Sequence, residues 1–89
     1  MATTYFQLST MFVCLTPTHV FYIDSETGKK EIVHRDEISV QMMFYIQSHQ
    51  KIDQWTFEKE LQKTENLSDS LFKSVYQQAI NREISETCV

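Results

Sequence analysis

The chain has 89 residues, of which 42% are hydrophobic, and its formal net charge is −4. This length fits one small domain, and the apolar content is too high for a disordered chain. The acidic balance disfavours non-specific phosphate binding by the whole molecule, because affinity for DNA depends on basic groups that displace counterions. It leaves open a local basic patch.

The N-terminus lacks the charged and apolar regions of a secretory signal. The longest apolar run near it, Met11 to Leu15, is too short to cross a bilayer. We therefore expect a cytoplasmic protein with no membrane contact and with reduced thiols at Cys14 and Cys88.

The first third of the chain has the pattern of β-strands. TYFQL alternates between polar and apolar residues, and MFVCL is rich in residues that favour a pleated surface. VFYID and KEIV flank the segment DSETGK, in which Gly28 can supply a positive φ, so a β-hairpin is predicted there.

From Asp36 onward the apolar period becomes helical. The pattern predicts a first helix at about 36–49, a second, shorter helix capped by Asp53, and a third capped by Ser68 or Asp69. The residues expected to face inward are Ile38, Met42, Met43, Tyr45, Ile46 and His49 in the first helix, Trp55, Phe57 and Leu61 in the second, and Leu71, Phe72, Val75, Tyr76, Ala79 and Ile80 in the third. We also expect Phe44 in the core with the other helical aromatic residues. Tyr5, Phe6 and Phe12 fit either the inner face of a small sheet or a dimer contact.

The residues that usually carry chemistry are scattered. His19, His34 and His49 lie on different predicted elements, and no pair has the spacing of a metal site. A single glycine, Gly28, excludes a glycine-rich phosphate loop, and Cys14 lies inside an apolar run, where thiols are usually inert. We expect no enzyme, no metal, no cofactor and no small-molecule substrate.

The solvent side of the third predicted helix lacks acidic residues although the chain as a whole is acidic. Amide side chains can bond adenine edges, and Arg and Lys can reach guanine or phosphate, so this inventory suits a major-groove reader. The same set can also arise by chance, or it can contact another protein. The predicted DNA-binding residues are Ser70, Lys73, Ser74, Gln77, Gln78, Asn81 and Arg82.

The order of the elements resembles the winged-helix DNA-binding domain of the OmpR/PhoB and ToxR/CadC regulators. The resemblance covers about residues 19–85. Glu37 matches the acid that opens the family's first helix, Gln41 to Ile46 the core run, Ser48 to Ile52 the linker, and LSDSLFKSVYQQAINREI the recognition helix. It implies an α+β fold in which a small N-terminal antiparallel sheet is followed by three helices. Two departures are a missing C-terminal wing and a recognition helix with only Lys73 and Arg82 as basic residues.

Two functions follow as hypotheses for a single domain of residues 1–89, with strands and a hairpin in 1–35 and a helix-turn-helix-like part in 36–86. The first is a small transcription regulator that binds DNA through the third helix, acting as a dimer because one wingless module makes few contacts. The second is a non-enzymatic acidic adaptor or inhibitor, of bacterial or phage type, that binds a regulator or a nucleic-acid-binding machine. Its predicted contact residues are Glu58, Glu60, Glu65 and Asp69.

Overall fold

The computed structural model describes the backbone of residues 3–87 and the side chains of residues 3–81. These residues form one antiparallel sheet with helices on both faces, which confirms the α+β class. The elements in chain order are β1 Thr4–Leu8, β2 Met11–Leu15, β3 His19–Asp24, β4 Lys30–His34, α1 Val40–Gln47, β5 Gln50–Ile52, α2 Gln54–Lys63 and α3 Ser70–Thr87, with short 3₁₀ helices at Arg35–Glu37 and Leu67–Asp69.

The five strands lie in the order β4-β3-β2-β1-β5. The predicted hairpin joins β3 to β4, and Gly28 there adopts a φ of 75°, in the left-handed region that glycine enters at little cost. The Gly28 N–H donates to the Asp24 carbonyl (2.7 Å) and closes the turn.

Both faces of the sheet are covered, which explains why MFVCL is an unbroken apolar run. In β2, Phe12 and Cys14 face the cluster formed with α2 and α3. Val13 and Leu15 face the opposite cluster, which α1 covers through Ile46. The molecule therefore has three layers, with the sheet in the middle.

The strand β5 corrects the predicted order of elements. The segment Ser48 to Ile52, predicted as a linker, contains a strand that pairs antiparallel with β1 between the first and second helices. A local pattern cannot reveal this strand, because its partner Thr4–Leu8 lies far away in sequence. The arrangement of a sheet followed only by helices is wrong, and a wingless winged-helix fold stays a prediction.

The first helix is shorter than predicted. A 3₁₀ turn covers Arg35–Glu37, and the Ser39 hydroxyl then accepts from the Met42 N–H (3.1 Å) to start α1. The predicted cap of α2 is confirmed: the Asp53 carboxylate accepts from the Thr56 N–H (2.8 Å). A hydrogen bond from the Thr56 side chain, together with this backbone hydrogen bond, lowers the pKa of Asp53.

Neither Ser68 nor Asp69 is the cap that the sequence predicts for the third helix: Asn66 caps the 3₁₀ helix Leu67–Asp69, which runs directly into α3. The Asn66 side chain accepts from the Ser68 N–H (2.9 Å), and the Asp69 carboxylate accepts from the Asn66 N–H (3.0 Å). This reciprocal pair is a capping box.

The inward faces of α2 and α3 agree with the sequence pattern except at two positions. Phe57, Leu61, Phe72, Tyr76, Ala79 and Ile80 are buried. Trp55 and Leu71, in contrast, are 68% and 70% exposed. At 100° per residue, Trp55 lies about 160° from Phe57 and Leu71 about 100° from Phe72, so both fall outside the stripe that one sheet face can cover.

In the part of the chain that the structure describes, no helix has the length and apolarity needed to span a bilayer.

Candidate interaction surface

Of the seven large hydrophobic side chains that are exposed among the described residues, four lie on α1. Ile46 is fully buried against the sheet and Met43 packs beside it. The remaining large side chains of the helix point into solvent, and we call them the α1 face: Val40 (71% exposed), Met42 (45%), Phe44 (68%) and Tyr45 (56%).

This placement corrects the prediction that Met42, Phe44 and Tyr45 lie in the core. The helix VQMMFYIQ is apolar nearly all the way round, so its periodicity cannot select one inward side. The sheet can cover only one side, and Ile46 with Met43 occupies it. A helix with apolar residues on every side normally has every side covered.

The α1 helix carries no charged residue between Val40 and Gln47. Beside Val40 and Phe44 lies a groove of about 340 Å³, which Arg35, Ile38, Met43 and Gln47 also line. Its size suits a side chain from a second surface.

Side chains stabilise the C-terminal end of α1. The Ser48 hydroxyl donates to the Tyr45 carbonyl oxygen (2.7 Å), and the His49 ring nitrogen Nδ1 lies 2.7 Å from the same oxygen. The His49 ring also packs edge-on against the Tyr45 ring, with 4.6 Å between the centroids. The Tyr45 ring is therefore held at the surface by local contacts.

Charged residues flank α1 with opposite signs at its two ends. Asp36 and Glu37 precede the helix and are exposed, and the Asp36 side chain is 91% exposed. Lys51, in β5, follows the helix and is also exposed.

The residues predicted to read DNA lie together on the outer side of α3. Ser70, Ser74, Gln77, Gln78 and Asn81 are exposed. Lys73 is half-buried and forms an ion pair with Glu65, so its charge is already compensated. The predicted contact at Arg82 lies outside the described side chains.

The four acids predicted as a partner-binding patch do not form one exposed surface. Asp69 and Glu60 are buried, and one carboxylate oxygen of Glu60 has no hydrogen-bond partner. Glu58 is half-buried and accepts from the Tyr76 hydroxyl (2.7 Å). Glu65 is exposed and paired with Lys73. The sequence pattern placed these acids close together in the chain, but their side chains point in different directions.

Asp69 instead forms a buried ion pair with Lys30, with 2.7 Å between Nζ and Oδ2. Burial would raise the pKa of Asp69, but hydrogen bonds from Lys30 and from the Asn66 N–H lower it on balance. Lys30 also donates to the Thr64 and Gly28 carbonyls (2.8 and 3.2 Å). This group is a structural link between the β3–β4 hairpin, the end of α2 and the start of α3.

A second buried polar group links α2, α3 and β1. The Tyr5 and Tyr76 hydroxyls lie 3.1 Å apart, and Tyr76 donates to Glu58. Burial raises the pKa of both phenols, so they stay protonated and act as hydrogen-bonding groups.

The histidines are only partly brought together. The His19 and His34 rings lie 5.2 Å apart, and His34 Nδ1 is 3.6 Å from the Asp36 carboxylate. Among the described residues there is no group of three or more His, Cys, Asp or Glu side chains arranged to hold a metal ion.

Comparisons of the chain with protein-family models, with curated proteins and with solved structures gave no match. The resemblance to the OmpR/PhoB and ToxR/CadC regulators therefore stays a prediction from the order of the elements. The sequence pattern predicts that Met42, Phe44 and Tyr45 of the α1 face are buried, and the structure shows them exposed. The absence of charge from VQMMFYIQ does not single out this helix in the sequence, because residues 1–23 and 74–81 also lack charged residues.

Proposed function

We propose that this chain is a non-enzymatic interaction protein that works as a homodimer held together by the α1 face. The observation that supports this most is an uncharged helix on which Val40, Met42, Phe44 and Tyr45 are all exposed, on the two flanks of its buried side. Large apolar side chains grouped at the surface often mark a protein–protein contact. Such a dimer is a two-sided adaptor whose α3 faces stay free for a target.

The charge distribution favours a second copy as the occupant. Two chains of net charge −4 repel each other at most surfaces, but α1 brings no charged side chain to the contact. In a two-fold dimer the same patch occurs on both sides, so a charge near its centre would meet its own copy. An uncharged patch avoids that cost.

The available area is sufficient for a modest affinity. An aromatic side chain offers roughly 150–250 Å². With Phe44 and Tyr45 more than half exposed and Val40 and Met42 beside them, the α1 face amounts to a few hundred Å² on each chain. Interfaces that bury less than about 600 Å² per partner belong mostly to weak, transient complexes, so a weak dimer is expected.

Sedimentation equilibrium of wild type and Phe44→Glu tests this proposal. Wild type should dimerise as its concentration rises, and Phe44→Glu should stay monomeric because it places like charges in an apolar contact. Trp55→Glu is the matched control, since Trp55 is equally exposed (68%) but lies on α2, on the other face of the sheet. A wild-type chain that stays monomeric at high micromolar concentration would overturn the proposal.

DNA reading by α3 is a second candidate function, favoured by the exposed amide side chains of Gln77, Gln78 and Asn81. Lys73 brings little free charge to such a contact because it is paired with Glu65. Fluorescence anisotropy with random duplex DNA tests this candidate. It requires binding at low salt that weakens in Lys73→Ala/Arg82→Ala, with a log–log salt slope of about −2. No binding at the lowest salt would exclude it.

A further inference from the structure

We propose that the free edge of β4, beside α3, binds an extended peptide segment of a partner protein, which adds to the sheet as a further strand. We call this site the β4 edge, formed by Lys30–His34 and by Val75 and Ala79 of α3. The inference rests on the proposed adaptor role, because it names the class of target that the chain takes. It does not use the α1 face, so a monomer can test it.

Strand β4 presents a row of unpaired backbone groups. It lies at one edge of the sheet, and the strand at the other edge, β5, has only three residues. The Arg35 N–H donates to the Thr18 carbonyl (2.9 Å), in register with the β3–β4 pair. Because bonded residues alternate along an antiparallel pair, the backbone groups of Lys30, Ile32 and His34 point away from β3. Within the described part of the chain, these outward groups have no hydrogen-bond partner.

The features that usually protect an exposed edge are weak in β4. Such edges are blocked by proline, by a bulge or by outward lysine side chains. The strand contains no proline, and its register with β3 is continuous over all five residues. The Lys30 side chain turns inward to Asp69. Glu31 is exposed but lies on the α1 side of the sheet, and Asp36 lies 3.6 Å from the His34 ring.

The seam between β4 and α3 gives the side chains of an added strand a place to pack. Ile32 and Val75 are half-buried, and both pack against the core cluster that α3 covers. A hollow lies at each end of this seam. One of about 290 Å³ lies beside Val75 and Ala79, and one of about 270 Å³ lies beside Lys30 and Phe72.

The two hollows match the period of a β-strand. The first lies at the His34 end, because His19 lines it and the His19 ring is 5.2 Å from the His34 ring. The second lies at the Lys30 end. These ends are four residues apart, about 13 Å at 3.4 Å per residue. Every second side chain of an added strand would thus face α3, one at each hollow and an apolar one between them, over Ile32 and Val75.

Peptide selection followed by amide exchange tests the site. A phage-displayed library of random octapeptides is selected against the wild-type chain, and a synthetic copy of an enriched peptide is the probe. At saturating peptide, exchange of the Ile32 and His34 amides should slow by about tenfold or more, because their outward N–H groups gain partners. The Glu31 and Val33 amides, which already bond to β3, should change less.

His34→Pro and His34→Ala are matched variants. His34 has a φ of −68°, which proline also adopts, and its side chain is exposed, so the fold should tolerate both changes. Only His34→Pro removes a donor that the added strand needs. It should therefore raise the peptide Kd by about fivefold relative to His34→Ala. Urea denaturation checks that both variants fold, and the exchange test on wild type depends on neither.

The peptide site is wrong if no peptide is enriched, if the Ile32 and His34 amides do not slow, or if the two variants bind equally. Slowing at these amides without peptide, increasing with protein concentration, would show that a second copy covers the edge and would also overturn it. Phe44→Glu separates this inference from the dimer, because that variant should bind the peptide with the wild-type Kd. A chain that dimerises without binding any peptide keeps the dimer and loses the β4 edge.

Discussion

Lys30 is a charged residue whose side chain is buried, although lysine side chains usually lie in solvent. Its side chain is 3% exposed and its ammonium group has three oxygen partners, on Gly28, Thr64 and Asp69. A buried charge is tolerated only when it is paired and fully hydrogen-bonded, and here it is. The sequence shows Lys30 only as one of two adjacent lysines, and nothing local indicates that Asp69 is its partner.

Lys30→Met should lower the free energy of unfolding by about 3–5 kcal/mol, because it leaves Asp69 buried without its cation. Urea denaturation measures this change. Lys29→Met is the control at an exposed neighbour and should shift stability by no more than about 0.5 kcal/mol. Equal effects of the two variants would show that the ion pair does not hold the hairpin to the helices.

The lowered pKa of Asp69 gives the same ion pair a pH dependence. An unfolded Asp has a pKa of about 3.9, so the stabilisation by Asp69 is fully present above that value and is lost as pH falls through the lower folded pKa. Urea denaturation of wild type and Asp69→Asn between pH 7 and 2.5 checks this. The stability difference should be constant at neutral pH and shrink below about pH 4. A difference that does not change down to pH 2.5 would contradict the assignment.

At the scale of elements, a sequence pattern predicts burial correctly when the apolar residues mark a single side of the element. The β3–β4 hairpin and the buried stripes of α2 and α3 followed from local patterns. In α1 the pattern was ambiguous, because Phe44 and Tyr45 are as apolar as the buried Ile46. The α1 face was missed for this reason, and β5 was missed because its pairing with β1 is long-range.

Alanine substitutions within α1 should lower stability at the buried Ile46 and leave it nearly unchanged at the exposed Phe44. Ile46→Ala should destabilise the monomer by about 2–5 kcal/mol, since the side chain is fully buried. Phe44→Ala should change the stability of the monomer by no more than about 0.5 kcal/mol, because the ring is 68% exposed. Thermal or urea unfolding at sub-micromolar concentration, where dimers are absent, is the measurement. A larger loss for Phe44→Ala would mean that the ring packs in the core after all.

At the scale of the whole molecule, the sheet separates the two candidate surfaces. The α1 face lies on one side, and α2 and α3 lie on the other. A two-fold dimer through α1 therefore points its two α3 helices away from each other. In a dimer that binds DNA, the two recognition helices must instead lie on the same side of the dimer, about 34–36 Å apart. Dimerisation through α1 thus favours an adaptor over a symmetric DNA-binding dimer.

The most direct test of the α1 contact is a concentration series of ¹⁵N–¹H correlation spectra of the ¹⁵N-labelled wild-type chain. From low to high micromolar concentration, the backbone amides of Val40–Gln47 should shift or broaden. Amides on the outer side of α3, from Ser70 to Asn81, should stay unchanged. Shifts confined to α3, or no concentration-dependent shift anywhere, would contradict the assignment of α1 as the surface through which this protein acts.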